Sequence, residues 1–240
     1  MDLMLHRGRV ALGTALASVA LCGALAAHAS AAPSSHGAIL HLVKPGLRAN
    51  ANSSNNWFGY NQGSQERGMK FHSIAGDWTV PSARQHSKGQ AESSSTWIGI
   101  GGGCVDAGCT VGDNTLIQTG TEQDVSSGSA SYGAWWEVIP GPSIAISNLT
   151  VQPGDHMHAD ISEVVAGANL WKITLQNVTR GQTFTTTVPF TGAKVNGAAP
   201  NLQATEKILL TDSAGSVIGT PSDPNGTRDG FSACAWATSC

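Results

Sequence analysis

Three polar residues stand inside otherwise apolar, strand-like stretches of this 240-residue chain: Gln118 after Leu116-Ile117, Glu137 after Trp135-Trp136, and Glu206 in alternation with Ile208 and Leu210. A carboxylate on a largely apolar face is costly unless it is paired or hydrogen-bonded, so each needs a partner or a task. The chemistry open to such groups is narrow. A glutamate can take a proton from water as that water attacks a carbonyl, and a glutamine amide can donate a hydrogen bond to the oxyanion that forms. Each of the three could instead sit at a strand end or a solvated edge, and the pattern alone does not choose.

Other signatures of hydrolases and nucleotide enzymes are missing. There is no Gly-x-Ser-x-Gly elbow, no His-Glu-x-x-His and no phosphate-binding loop. Gly99-Ile100-Gly101-Gly102-Gly103 contains a Gly-x-Gly, but no helical pattern follows it, which leaves a turn as the expectation. His156 and His158 point the same way from a strand; without a third ligand nearby in sequence they read as a solvated face, and neither a metal nor any other cofactor is expected.

The elements that must position these residues read as strands. Short alternating stretches rich in β-branched and aromatic residues run over 95–100, 116–120, 132–139, 144–151, 156–164, 170–176, 183–190 and 206–210. Gly101-Gly102-Gly103, Pro140-Gly141-Pro142, Pro153-Gly154-Asp155 and Asn196-Gly197 supply turn chemistry between them. No window after the first thirty residues holds a 3.6-residue period. An all-β fold, an antiparallel β-sandwich of two curved sheets, is the expectation.

Residues 1–31 read as a secretory signal peptide: a basic start at His6, Arg7 and Arg9, an apolar run from Val10 to Leu25, and small residues around Ala29 and Ala31. Residues 32–53 are weakly patterned and read as a pro-segment or exposed arm, and residues 54–240 as one domain. A secreted, extracellular protein without membrane attachment after signal removal follows, and a monomer is expected. Beyond Cys22 the cysteines are Cys104, Cys109, Cys234 and Cys240, an even set whose short spacings favour Cys104 with Cys109 and Cys234 with Cys240. Charged residues make up only 12% of the chain, which limits the repulsion that builds up when carboxylates protonate in acid; a Ser-, Thr- and Gly-rich surface explains the deficit almost as well. With 13 Lys and Arg against 16 Asp and Glu there is no basic stripe, so nucleic acid and anionic membranes are not expected partners.

Taken in order, several segments resemble the glutamic peptidases, or eqolisins. Asn56-Trp57-Phe58-Gly59 is similar to their mature N-terminus, and Ala75-Gly76-Asp77-Trp78-Thr79-Val80-Pro81 to their early strand ending in Val-Pro. Ser95-Thr96-Trp97-Ile98-Gly99-Ile100 resembles their Trp-x-Gly-Ile strand, and Leu116-Ile117-Gln118-Thr119-Gly120 their Leu-Gln-Thr-Gly segment. Tyr132-Gly133-Ala134-Trp135-Trp136-Glu137, followed by Pro140, resembles the Tyr-x-Ala-Trp-x-Glu block, and 177–182 the Asn-Leu-Thr-x-Gly-Gln turn. The resemblance implies a lectin-like sandwich (concanavalin-type jelly roll) whose concave face binds extended protein or peptide substrates. It implies Gln118 and Glu206 as the catalytic dyad, with Trp97, Trp135, Glu137 and Gly101 lining or supporting the site. Gly101 stands where the family's strand usually continues with Asp, and Gly133 where an acidic residue is common. These departures keep open a catalytically inactive relative, and the seven Trp residues keep open a carbohydrate-binding sandwich.

Overall fold

The structure is a computed structural model that describes residues 51–63, 70–104, 112–194, 196–197 and 206–240. The described residues contain no helix. Among the described residues fourteen strands are present: β1 (Ala51–Ser54), β2 (Gly59–Gly63), β3 (Ser73–Thr79), β4 (Glu92–Cys104), β5 (Gly112–Ser126), β6 (Ser129–Ile139), β7 (Ile144–Ala145), β8 (His156–Glu163), β9 (Leu170–Asn177), β10 (Gln182–Pro189), β11 (Asn196–Gly197), β12 (Glu206–Thr211), β13 (Val217–Pro221) and β14 (Ala233–Ala235).

Two four-stranded sheets, in the orders β10-β9-β8-β3 and β4-β5-β6-β7, make the body of the fold, and every pairing in both is antiparallel. They pack face to face because period-two sequences give each an apolar side. Ile74, Ile161, Trp171, Ile173 and Val188 from the first sheet meet Ile100 and Ile117 from the second, joined by Phe71 and Phe190. A second cluster sets Met157, Ala159 and Leu175 against Ala134, with Val80, Ile146, Leu149 and Val151 entering from connecting segments. Fully burying each Ile or Leu stabilises the fold by about 1.5–3 kcal/mol, so the two clusters supply the main driving force of the sandwich.

The remaining strands form a six-stranded sheet in the order β11-β2-β12-β13-β14, with β1 pairing β12. The β1–β12 pairing is parallel, whereas β2, β11, β13 and β14 join their neighbours antiparallel. Residues 51–53, assigned from sequence to the arm ahead of the domain, lie within β1.

Several local expectations differ from the structure. Only Ile144 and Ala145 of the stretch 144–151 form a strand; Ile146, Leu149 and Val151 are buried one at a time from a turn-containing loop, which imitates strand alternation. Gly101-Gly102-Gly103 is no turn but the end of β4, where Gly101 (φ 112°) and Gly102 (φ 74°) take left-handed backbone and the register with β5 shifts. The glycines thus serve a β-bulge, the other common use of glycine in a strand. Asn196-Gly197 likewise pairs with β2 instead of turning. The Cys234–Cys240 bridge is present, while the expected Cys104–Cys109 bridge lies outside the described residues.

Candidate active site

β5 occupies the middle of its sheet, and its residues from Leu116 to Thr121 are buried on both faces. Ile117 faces the inter-sheet core, so strand alternation sends Leu116, Gln118, Gly120, Glu122 and Asp124 to the opposite face. The ladder aligns their neighbours. Gly99 and Glu137 flank Gln118, Trp97 and Trp135 flank Gly120, Ser95 and Gly133 flank Glu122, and Gly101 and Ile139 flank Leu116.

At the centre of this face Gln118 Nε2 donates to Glu137 Oε2 at 2.5 Å, and both residues are 1% exposed. Burial pushes the Glu137 carboxyl above the ordinary carboxylate range, against the downward pull of the Gln118 bond. Two indoles stand in the adjoining row. Trp135 is fully buried and donates from Nε1 to Ser95 Oγ at 3.0 Å. Trp97 is half-buried and meets Trp57, just ahead of β2, edge to face with ring centroids 5.9 Å apart.

Glycine is what lets these side chains share one face. A Cβ on Gly120 would fall 2.3 Å from Thr96 O and 2.7 Å from Trp97 Cβ, and one on Gly99 would press on Gln118 Cβ at 3.0 Å. One on Gly133 would meet Glu122 Oε1 at 2.8 Å, so the absent side chain at 133 is replaced by the Glu122 carboxyl. Burial first, and then the charge of Asp124, raise the Glu122 pKa. Glu122 Oε2 and Asp124 Oδ1 are both buried without a hydrogen-bond partner.

The structure therefore brings Gln118, Glu137, Trp97, Trp135 and Gly101 onto one sheet. Glu206 opens β12 in the six-stranded sheet, half-buried, with Asn61 as its register partner. No hydrogen bond joins Gln118 to Glu206 among the described residues; the hydrogen-bonded carboxylate beside the amide is that of Glu137. Glu122 and the supporting glycines Gly99 and Gly120 went unrecognised in the sequence. The signal that reaches them is strand parity with Gln118, at offsets of two and four residues along β5 and across the ladder to β4.

The two histidines do have a shared neighbour. His156 Nε2 and His158 Nδ1 lie 3.2 and 3.1 Å from Asp77 Oδ1 on the exposed side of the β3–β8 pair. Three of the seven tryptophans, Trp57, Trp135 and Trp171, are buried, Trp78, Trp97 and Trp136 are half-buried, and the exposed Trp236 is stacked on His86 with centroids 4.0 Å apart.

Known proteins resemble the chain as follows. Scytalidopepsin B from Scytalidium lignicola is 28% identical over 115 residues, a match that spans 48% of this chain and 38% of that protein. Among solved structures, scytalido-glutamic peptidase with a transition state analog inhibitor matches with a TM-score of 0.44 at 20% identity, covering 76% of this chain and 81% of the other. The aspergilloglutamic peptidase from Aspergillus niger matches with a TM-score of 0.38 at 18% identity, covering 60% and 98%. The model of the Peptidase A4 family matches residues 55–202, which is more than half of the sequence and includes both β5 and β6; the chain belongs to the Peptidase A4 family.

Proposed function

We propose that the protein is a secreted endopeptidase that hydrolyses peptide bonds in acid, with Gln118 as oxyanion donor and Glu206 as general base. The observation that carries the reading is the buried Gln118 amide, fixed by Glu137 on a glycine-floored face beside the row that holds two indoles. A side-chain amide held in place by its neighbour costs no reorganisation when negative charge develops on a carbonyl oxygen. Family membership adds the peptide as substrate class; Glu206 lies just past the matched residues 55–202, and its role as base is carried by the resemblance of 204–208 to the family's Ala-Glu segment.

The reaction follows from ordinary acidities. Glu206 as carboxylate accepts a proton from water while that water attacks the scissile carbonyl, and Gln118 donates to the oxyanion. Glu206, now protonated, returns the proton to the departing amine. Glutamates as a class lose their proton at about pH 4.3, so a general base of this type suits an acidic medium. Acid also suits the fold, because Glu122 and Glu137 are both pushed toward their neutral forms by burial.

The deciding experiment is proteolysis of a denatured protein at about pH 4, near the ordinary glutamate pKa. Gln118→Ala should lower kcat by about 10²- to 10³-fold and Glu206→Gln by about 10²- to 10⁴-fold, both with unchanged circular dichroism. Full activity in Glu206→Gln would remove that residue from the mechanism. Glycan binding with no proteolysis at any pH would replace the peptidase reading with a carbohydrate-binding one.

A further inference from the structure

We infer that Glu137 is a positioning residue whose protonation state decides which end of the Gln118 carboxamide faces the substrate. As a carboxylic acid it donates to Gln118 Oε1 and leaves both Nε2 hydrogens free for a carbonyl; as a carboxylate it takes one of those hydrogens for itself. The inference deepens the peptidase reading and rests on it.

Geometry supplies the first argument. Gln118 and Glu137 are register partners on neighbouring strands, both 1% exposed, so the contact is fixed by the ladder and by packing. A carboxamide offers a donor at one end and an acceptor at the other, and a carboxyl changes from acceptor to donor when it takes up a proton. The same two side chains thus have two hydrogen-bonded arrangements, related by a half-turn of the amide. Neither requires a shift of the strands, and amide oxygen and nitrogen are assigned from their partners. The contact, drawn with Gln118 Nε2 donating to Glu137 Oε2 at 2.5 Å, keeps either end of the amide within hydrogen-bond reach of the carboxyl.

Charge supplies the second. The residues of β6 and β7 on this face carry no other titratable group, and neither do Ser93, Ser95, Trp97, Gly99 and Gly101 of β4. On β5 the titratable groups of the face are Glu122 and Asp124, two and three same-face positions from Gln118, and Glu206 opens β12 in the other sheet. Burial is the leading influence on Glu137 and favours its neutral form, against the pull of the Gln118 bond. The proton comes from solvent in acid and returns to it as the pH rises, so no co-reactant is required.

The consequence is a second ionisation in the rate profile. A general base must be ionised to accept a proton, which sets the acidic limb, while Glu137 must be protonated to release the amide, which sets the limb at higher pH. Glu137→Gln removes the titrating proton and should abolish that second limb.

The test measures kcat/KM for an internally quenched peptide from about pH 3 to pH 7, a range that spans the ordinary and raised carboxylate values. Wild type should lose about tenfold per pH unit above its optimum, and Glu137→Gln should lose little, exceeding wild type by about tenfold or more near neutrality. Nitrogen-15 spectra of wild type, with the Gln118 side-chain amide assigned by its absence in Gln118→Ala, should show one proton-linked transition of both Nε2 hydrogens at a raised carboxyl pKa. Retention of the wild-type alkaline limb in Glu137→Gln overturns the inference, as does an amide that does not respond to pH. So does loss of all activity in Glu137→Gln while Glu206→Gln stays active, since Glu137 is then the base. If wild type cleaves nothing at any pH the peptidase reading fails alone, and the wild-type amide titration still decides the coupling of residues 118 and 137.

Discussion

Glu163 and Lys194 form an ion pair with Oε1 and Nζ 2.9 Å apart and side chains 2% and 10% exposed, while Glu163 Oε2 lies 2.7 Å from His72 Nδ1. The bond from His72 first, and that from Lys194 next, outweigh burial and hold the Glu163 pKa at about 2. Lys194 also lies 5.4 Å from the centroid of the Trp171 ring and accepts a bond at its backbone oxygen from Phe71 N, so the pair fixes the segment between β10 and β11 to the core.

A depressed folded pKa stabilises the protein wherever the carboxylate would be ionised in both states. The Glu163 contribution is therefore complete above the ordinary value of 4.5 and disappears as the pH falls through about 2. Glu163→Gln should lower Tm by several degrees at neutral pH, and the gap should close as the pH approaches 2. Thermal melts across that range check it; a gap independent of pH would show that charge is not the cause.

Glu122 should behave in the opposite sense. Its folded pKa is raised by burial and by Asp124, so the ionised form opposes folding, and the penalty is relieved as the pH falls through the raised value toward the ordinary one. Glu122→Gln should raise Tm at pH 7 and leave it unchanged in acid below the ordinary value of 4.5. Equal melts at neutral pH would refute the assigned burial cost.

Gly120 and Gly133 both face the candidate site but differ in what an added methyl would strike. At Gly120 it meets backbone oxygen of Thr96 at 2.3 Å, and at Gly133 the mobile end of Glu122 at 2.8 Å. Gly120→Ala should therefore cost about 1–3 kcal/mol or more, with disturbed β4–β5 pairing, while Gly133→Ala should cost under about 1 kcal/mol. Urea midpoints of the two variants measure the contrast.

Asp155 holds the β9–β10 hairpin turn to the segment ahead of β8. Its Oδ2 accepts from Asn177 Nδ2 at 2.7 Å, Arg180 Nε at 2.7 Å and Gln152 N at 2.9 Å. Asn177 is completely buried and also donates to Thr150 O. Asp155→Ala leaves that amide and its neighbours short of a partner, which should cost about 1–3 kcal/mol. Chemical denaturation checks the magnitude, and a cost below a few tenths of a kcal/mol would mean that water replaces the carboxylate.

Strand positions were legible in the sequence where alternation coincided with a single buried face. β8 and β9 show this plainly, because Met157, Ala159 and Ile161, and Trp171, Ile173 and Leu175, alternate against solvent-facing partners. The segment 144–151 misled for a physical reason: a loop that drops every second or third side chain into a core leaves the same apolar spacing as a strand. β13 and β14, short and rich in small residues, carry almost no periodicity, and it is pairing with β12 and with each other that makes them strands.

By itself the sequence determined the class of fold and the residue types able to handle a peptide bond, because period-two hydrophobicity and a polar group set among apolar neighbours are local properties of the chain. Short spacing favoured the Cys234–Cys240 bridge among three possible pairings of the four cysteines, and the structure contains it. Tertiary structure alone decided that the partner of Gln118 is Glu137, that glycines at 99, 120 and 133 make room on that face, and that Glu206 opens a strand of a different sheet. Those facts depend on register and on which sheet each strand joins, and register is fixed by the packing of all strands at once.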